Sequence, residues 1–378
     1  MNAPPPGMPG GIIGWISASR ARWLAVGFLL CAVLPPFFSW PALRPMPAGA
    51  QEAWRQYWAD VVQRKVQHPL HDYTGEFPDE SNQAKRNFRI TVPLLAHATG
   101  LGTRALPGIR FGLQAVLLLS LLLAAEKACA DRPAALGIAL AVAGTYVGTS
   151  VWMDEWGWFD NCAHAFIALA MAAGSPSLVA AAVVAGGFTD ERALLAVPLV
   201  MAFHAWTGAR RGLVVAPVTG ALAYMALRLC LLLAAGLRTA SSGIGTSDIL
   251  HTNLHASGLG AWSALEGGWI VLAAACVCSA RLGRLREWAL LGCLALVPVA
   301  ASAAVIDFSR SASYAFPATL AAAALLASAG PGFGPSRSAV RLVAAAAAAA
   351  SLLAPNAFIM GQTFIQPSVL IRALSHHP

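Results

Sequence analysis

From residue 23 to residue 358, blocks of apolar residues, most of them close to twenty long, alternate with short polar segments. A helix needs about 20 such residues to cross the hydrocarbon core of a bilayer. The blocks lie at 23–43, 106–125, 133–152, 161–173, 175–188, 193–207, 212–236, 264–280, 287–306, 312–330 and 339–358. They predict an all-α, polytopic transmembrane bundle of about eleven spans. The fourth and fifth blocks are short. They are either one long helix or a hairpin turning through Gly174, Ser175 and Pro176. The first block is too long for a signal-peptide core and lacks a small-residue cleavage site, so it reads as an uncleaved span. Residues 1–22 then form a cytoplasmic segment, 23–358 the membrane domain with one large outer loop at 44–107, and 359–378 an outer C-terminal tail.

Composition agrees with this pattern. Of the 378 residues, 57% are apolar and 11% charged, too few polar groups to cover a soluble globule and too many apolar ones for a disordered chain. The net charge of +8 raises the question of a nucleic-acid partner. Its distribution removes the need for one. With the N-terminus inside, Arg20, Arg22, Lys127, Arg132, Arg210, Arg211, Arg281, Arg284, Arg286, Arg337 and Arg341 fall on the inner side with only Glu126, Asp131 and Glu287. The inner side therefore carries the whole +8, as the positive-inside rule requires, and an odd number of spans leaves the C-terminus outside. The seven cysteines are scattered singly and match no zinc or disulfide spacing.

Most of the acids are left on the outer side. In the 44–107 loop, Trp54, Tyr57, Trp58, Val61, Val62 and Val66 recur at helical spacing over 51–67 and predict an amphipathic helix lying in the membrane interface. The polar stretch 68–93 follows, interrupted by Pro69, Gly75 and Pro78. It carries His68, His71, Asp72, Glu76, Asp79 and Glu80 beside Lys85, Arg86 and Arg89, with a second short helix expected from Ser81 into Leu95. One carboxylate there can serve as a base while the basic helix holds an anion. Asp72, flanked by His71 and Tyr73, is preferred over Glu76 and Asp79.

Later outer loops repeat this mixture. Asp154 and Glu155 stand among aromatic rings and could supply oxygen ligands to a divalent cation, Mg or Mn, while Asp160 reads as the cap of the next helix. Thr189 is an N-cap candidate, followed by Asp190 and Glu191 at the positive end of the helix dipole. Asp307 and Arg310 either pair with each other, or Arg310 reaches a phosphate. Within spans, Arg228 and Glu266 form either an ion pair or a ligand site, and His204 is read as a core or capping residue. Residues 238–260, with Asp248, His251, Asn253 and His255, have the Gly and Ser content of a lid.

With Trp54–Val66 as an interfacial helix, Asp72 in the first outer loop and Asp154–Glu155 in the second, the arrangement resembles the C-type (GT-C) membrane glycosyltransferases. The resemblance is one of architecture. No acid occurs in 38–50, where the family's often lies. It implies transfer of a sugar from a polyprenyl-phosphate donor to an acceptor on the outer face of a bacterial inner membrane. Asp72 would be the catalytic base. His68, His71, Lys85, Arg86, Arg89, Asp190, Glu191, Asp307 and Arg310 would surround the substrates. The expected partners are the bilayer, the lipid-linked donor and an acceptor, without nucleic acid. A transporter or lipid flippase would also gather charge around a cavity, but no internal repeat is visible and the first loop is large and asymmetric. The sequence around Ser257 loosely resembles a rhomboid serine motif, yet no histidine follows before His376. A noncatalytic assembly subunit is the remaining alternative.

Overall fold

The computed structural model describes residues 19–39, 59–74, 76, 86–153, 158–238, 247–305, 307–328, 336–354, 356–359 and 363–366. Helix α1 is Arg20–Ser39, α2 covers 59–67 and α3 is Thr91–Ala98. Helix α4 (Leu106–Cys129) is followed by α5 (Arg132–Ala143), α6 (Tyr146–Met153), α7 (Asp160–Ala172), α8 (Pro176–Gly187), α9 (Val197–Trp206) and α10 (Arg211–Ala234). The rest are α11 (Ser247–His255), α12 (Ser257–Leu265), α13 (Gly268–Arg281), α14 (Leu285–Ser302), α15 (Phe308–Ala312), α16 (Pro317–Ala327) and α17 (Arg337–Leu353).

Each apolar block coincides with one of these helices or with a bent pair. Among the described residues four helices are long and apolar enough to cross a membrane alone: α1, α4 with the turn before it, α10 and α14. Counting the bent pairs α5–α6 (55°) and α12–α13 (82°) as single spans makes six. Helices α7, α8, α9 and α16 run only 13, 12, 10 and 11 residues, below what one crossing needs. Their sequences explain the shortness. Pro176, Pro198 and Pro317 sit in the first turn of α8, α9 and α16, where a missing N–H costs nothing, and so fix where those helices begin.

The choice at 174–176 is resolved as a hairpin. The Ser175 hydroxyl accepts from the Leu178 N–H (3.2 Å) and starts α8 at Pro176, while Ala173 is extended and ends α7. Lys127 Nζ donates to the Ala173 carbonyl (3.0 Å) and Arg210 to that of Gly174 (3.2 Å), capping the exposed carbonyls with cations. Residues expected inside meet one another elsewhere too. Arg20 and Arg132 pair with Glu126, Arg341 pairs with Asp131, and Trp23 donates to the Arg132 carbonyl.

Helix packing relies on small residues. An alanine Cβ at Gly137 would lie 2.8 Å from the Ala344 backbone, so α5 and α17 touch nearly main chain to main chain. The seam continues at Gly144, where a Cβ would lie 2.9 Å from the Ser351 Cβ of α17. At the break between α12 and α13, Gly267 fits against α17: its N–H donates to Ser351 Oγ (3.0 Å), and any Cβ would overlap the Ala347 carbonyl oxygen.

The bundle is all-helical, as expected; after it residues 356–359 and 363–366 pair as a short antiparallel hairpin, and α17 ends at Leu353 because Ala354 is extended and residue 355 is proline. Three expectations need correction. The helix expected from Ser81 into Leu95 is interrupted at 87–90, and α3 starts only at Thr91. Its backbone leaves the helical path where the Thr91 N–H donates to the Phe188 carbonyl (3.1 Å). Thr189 is not a cap: its hydroxyl turns back to the Ala185 carbonyl (2.7 Å), and Asp190 caps the following turn instead. Asp160 is not a cap either. It is the first residue of α7, and its carboxylate is taken up by side chains from other elements.

Candidate functional site

The described part of the 44–107 loop folds against the helices rather than away from them. On α2, Val66 packs with Ala96 and Ala105, and Val62 with Leu106 and Ile109, so the valine face meets protein over 61–66. Lys65 is on the same helix and is buried, 6% exposed. Its Nζ donates to the Asn87 carbonyl (3.0 Å) and lies 5.3 Å from the centre of the Tyr73 ring. Burial lowers its pKa to about 7, against a smaller upward pull from the Asp72 charge. A buried lysine that titrates near neutrality is uncommon and chemically useful.

Lys65 faces a cleft with Arg86 and Arg89. Its other walls are Val61, Val62, Tyr73, Asn87, Pro93 and Phe159. The space between them is about 440 Å³, including open solvent at the mouth. Three basic side chains thus share one partly apolar cleft, Arg89 with its far side already held by Glu191 and Asp190.

Asp72 adjoins this cleft through Asn87, which is fully buried. Oδ1 of Asp72 accepts from Thr74 N (3.1 Å), from Thr74 Oγ1 (2.6 Å) and from Asn87 Nδ2. Oδ2 accepts from Arg238 Nε at 2.9 Å. Burial alone would raise the Asp72 pKa, but the hydrogen bonds from Thr74, Arg238 and Asn87 outweigh it and hold the group below its usual value. The two oxygens are not equivalent. Oδ1 is fixed by three donors. Among the described residues Oδ2 accepts from one group, an arginine that is 72% exposed, and a pair screened by solvent in that way contributes about 0–1 kcal/mol. Oδ2 is therefore the lone-pair donor most easily made available.

Beyond Arg89 a chain of alternating charges joins the segments around Asp160, Asp190 and Arg310. Arg89 holds Glu191 with two bonds (Nε 3.1 Å, Nη2 3.0 Å) and reaches Asp190 at 3.4 Å. Arg192 binds the same Asp190 through Nε (2.9 and 3.0 Å), Ser311 Oγ (3.0 Å) and Asp160 Oδ1 (3.2 Å). Arg310 makes a bidentate pair with Asp160 (2.6 and 3.0 Å) and donates to Asp307 at 2.7 Å. Tyr146 OH donates to Asp160 Oδ2 (2.7 Å), and the Arg310 guanidinium carbon lies over the Trp158 ring, 3.8 Å from its centre. Asp160 and Asp190 are fully buried, which is tolerable only because each is paired. Glu191 has a pKa lowered to about 2: desolvation would raise it, but the Arg89 charge and hydrogen bonds prevail.

The expected residues thus separate into groups. Arg86 and Arg89 line the cleft; Asp72 borders it; Asp190, Glu191, Asp307 and Arg310 belong to the charge chain. His71 meets Glu76 Oε1 at 2.5 Å, and the His68 carbonyl accepts from Tyr73 OH at 3.2 Å, both at the exposed edge of the loop. Lys85, Asp154, Glu155, Asp79 and residues 51–58 lie outside the described residues. Arg228 does not pair with Glu266; it donates to Tyr224 OH (2.6 Å) and lies over Phe88 at 4.2 Å.

Lys65, Asn87, Asp160 and Arg192 were not among the expected site residues. Lys65 was hidden in an amphipathic pattern, where a lysine is ordinarily solvated. Arg192, next to two acids at the start of an apolar block, carried the better signal, since an arginine at the edge of a span needs a named partner. No family model, curated protein or solved structure matches the chain.

Proposed function

We propose that the chain is a membrane glycosyltransferase acting on a polyprenyl-phosphate-linked sugar at the outer face of a bacterial inner membrane. The reading rests on the cationic cleft of Lys65, Arg86 and Arg89 beside the oriented carboxylate of Asp72. In it, the cleft holds the donor phosphate, whose charge grows as the sugar departs, and the three cations stabilise that charge. Asp72 Oδ2 takes the proton from the acceptor hydroxyl. The acceptor oxygen bonds to the anomeric carbon, the bond from that carbon to the phosphate oxygen breaks, and the polyprenyl phosphate leaves with the electron pair. The reaction as drawn takes no step through a metal at Asp154 and Glu155.

The eleven-span topology and cytoplasmic N-terminus belong to the same proposal. They draw support from the contacts, in which groups assigned to one side meet groups of that side: Arg341 with Asp131, and Arg89 with Asp190 and Glu191. The short helices α7, α8, α9 and α16 complete the bundle where neighbouring protein satisfies their ends.

The test is transfer by the purified full-length chain in liposomes supplied with a panel of synthetic polyprenyl-phosphate sugars and membrane-extract acceptors. The expected result is donor-dependent transfer, lost in Asp72→Asn and reduced at least about tenfold in Lys65→Met, a change of about 1.4 kcal/mol or more in transition-state binding. Wild-type activity in a well-folded Asp72→Asn protein would remove Asp72 from the role of base. Absence of transfer with every donor, alongside substrate movement across the bilayer, would favour the transporter reading.

A further inference from the structure

Helix α11 presents two histidines one turn apart, His251 and His255, both exposed. Their Nε2 atoms face each other at 3.3 Å, with ring centroids 4.5 Å apart and planes at 76°. The helix beneath them is pinned. Asn253 is 1% exposed, and its Nδ2 donates to the carbonyls of Ala303 (3.0 Å) and Val305 (2.7 Å), at the C-terminal end of α14 and just beyond it. Residues 251 and 255 are thus carried on a backbone held by a buried amide on another face.

We propose that His251 and His255 are two protein ligands of a site for a zinc-class divalent ion. Zinc binds imidazole nitrogen at about 2.0–2.1 Å in tetrahedral geometry, which sets two neighbouring ligand atoms about 3.3 Å apart. The Nε2 atoms have that separation already; the ring centroids, 4.5 Å apart, must open by turning about the side-chain bonds before both lone pairs meet one ion. Without an ion between them, one ring can donate to the other across this contact. Imidazole is the ligand that zinc, copper and nickel share, whereas magnesium and calcium prefer oxygen. Two coordination positions remain for water or a further ligand, which makes the site open rather than purely structural. The site stands apart from the Lys65 cleft and does not depend on the glycosyltransferase reading.

The experiment uses full-length protein in detergent, purified without a histidine tag, with His376→Ala and His377→Ala introduced to remove the tail histidines. Cu²⁺ electron paramagnetic resonance counts nitrogen ligands, and competition with Zn²⁺ gives affinities. The expected signal is one ion bound by two nitrogens, with Cu²⁺ tighter than Zn²⁺ and no competition by Mg²⁺. Changes outside the ligand shell already cost about 10–100-fold in metal affinity, so His255→Ala should lose at least about tenfold. His255→Cys, which supplies a thiolate in place of the ring, should retain zinc binding. Affinity and nitrogen count unchanged in the His251→Ala, His255→Ala double variant would overturn the assignment. So would no binding to the parent protein while its elution profile and thermal unfolding are normal.

Discussion

Replacing Lys65 by methionine tests the cleft through its energetics. The ammonium has a pKa of about 7 in the fold and about 10.4 in an unfolded chain. Between these values the unfolded chain holds a proton that the folded one has released, so the stability of the wild type rises with pH. The slope rises from about half of 1.4 kcal/mol per pH unit at pH 7 to about the full value above pH 8, which sums to roughly 2 kcal/mol between pH 7 and pH 9. Below pH 7 both states are protonated and this contribution is flat. Methionine keeps the volume and cannot titrate, so the variant should lack that rise. It also leaves the Asn87 carbonyl without its donor, at about 1–3 kcal/mol independent of pH. The difference in slope therefore isolates the charge from the lost bond. The assay is thermal unfolding of both proteins by intrinsic fluorescence in phosphate-free detergent buffer at half-unit pH steps. Parallel pH profiles over 7–9 would refute the idea of a depressed lysine, and with it the picture of Lys65 as a cation that becomes fully charged when an anion enters the cleft.

Other measurements address the rest of the site. Asp160→Asn leaves Arg310 and Arg192 short of their shared counter-charge, so it should destabilise by about 3–5 kcal/mol; pairing it with Arg310→Gln in a double-mutant cycle should give clearly less than the sum. Glu191, with its pKa lowered to about 2, contributes stability that is present above about pH 4.5 and fades as pH falls toward 2, so Glu191→Gln should flatten the acid limb of the unfolding profile. Gly267→Ala forces a Cβ into the Ala347 carbonyl and should cost about 1–3 kcal/mol, visible as a lower melting temperature, while Gly258→Ala, at a position with open space, should be nearly neutral.

Much of the helical layout was legible because apolar blocks and basic flanks are local properties of the chain. The ends of α4, α10 and α14 follow from runs of Leu, Ala and Val bounded by Arg or Lys. What could not be read were partners distant in sequence. Asp160 and Arg310 are 150 residues apart, and their bidentate pair depends on how α7 and α15 pack. Nothing near Asp160 distinguishes a helix cap from a buried counter-ion. Lys65 was missed for a related reason: a lysine in an amphipathic helix is ordinarily solvated, but here Tyr73 and Asn87 return over it and close it off. The Asp72 environment was half visible, with the acid evident and the locking amide of Asn87 not.

The break at Glu266–Gly267 ties distant parts of the molecule into one mechanical train. On one side of the elbow, Gly267 is clasped by the main chain of α17. On the other, α12 rests on α15: Gly260 has room only for the Phe308 ring, and Ser263 Oγ is 3.2 Å from Ser309 Oγ. The next residue along α15 is Arg310, the anchor of the buried charges. An α12 displaced about this elbow would press on α15 beside the Arg310–Asp160 pair, so a single bent helix links the packing of α17 to the buried ionic chain.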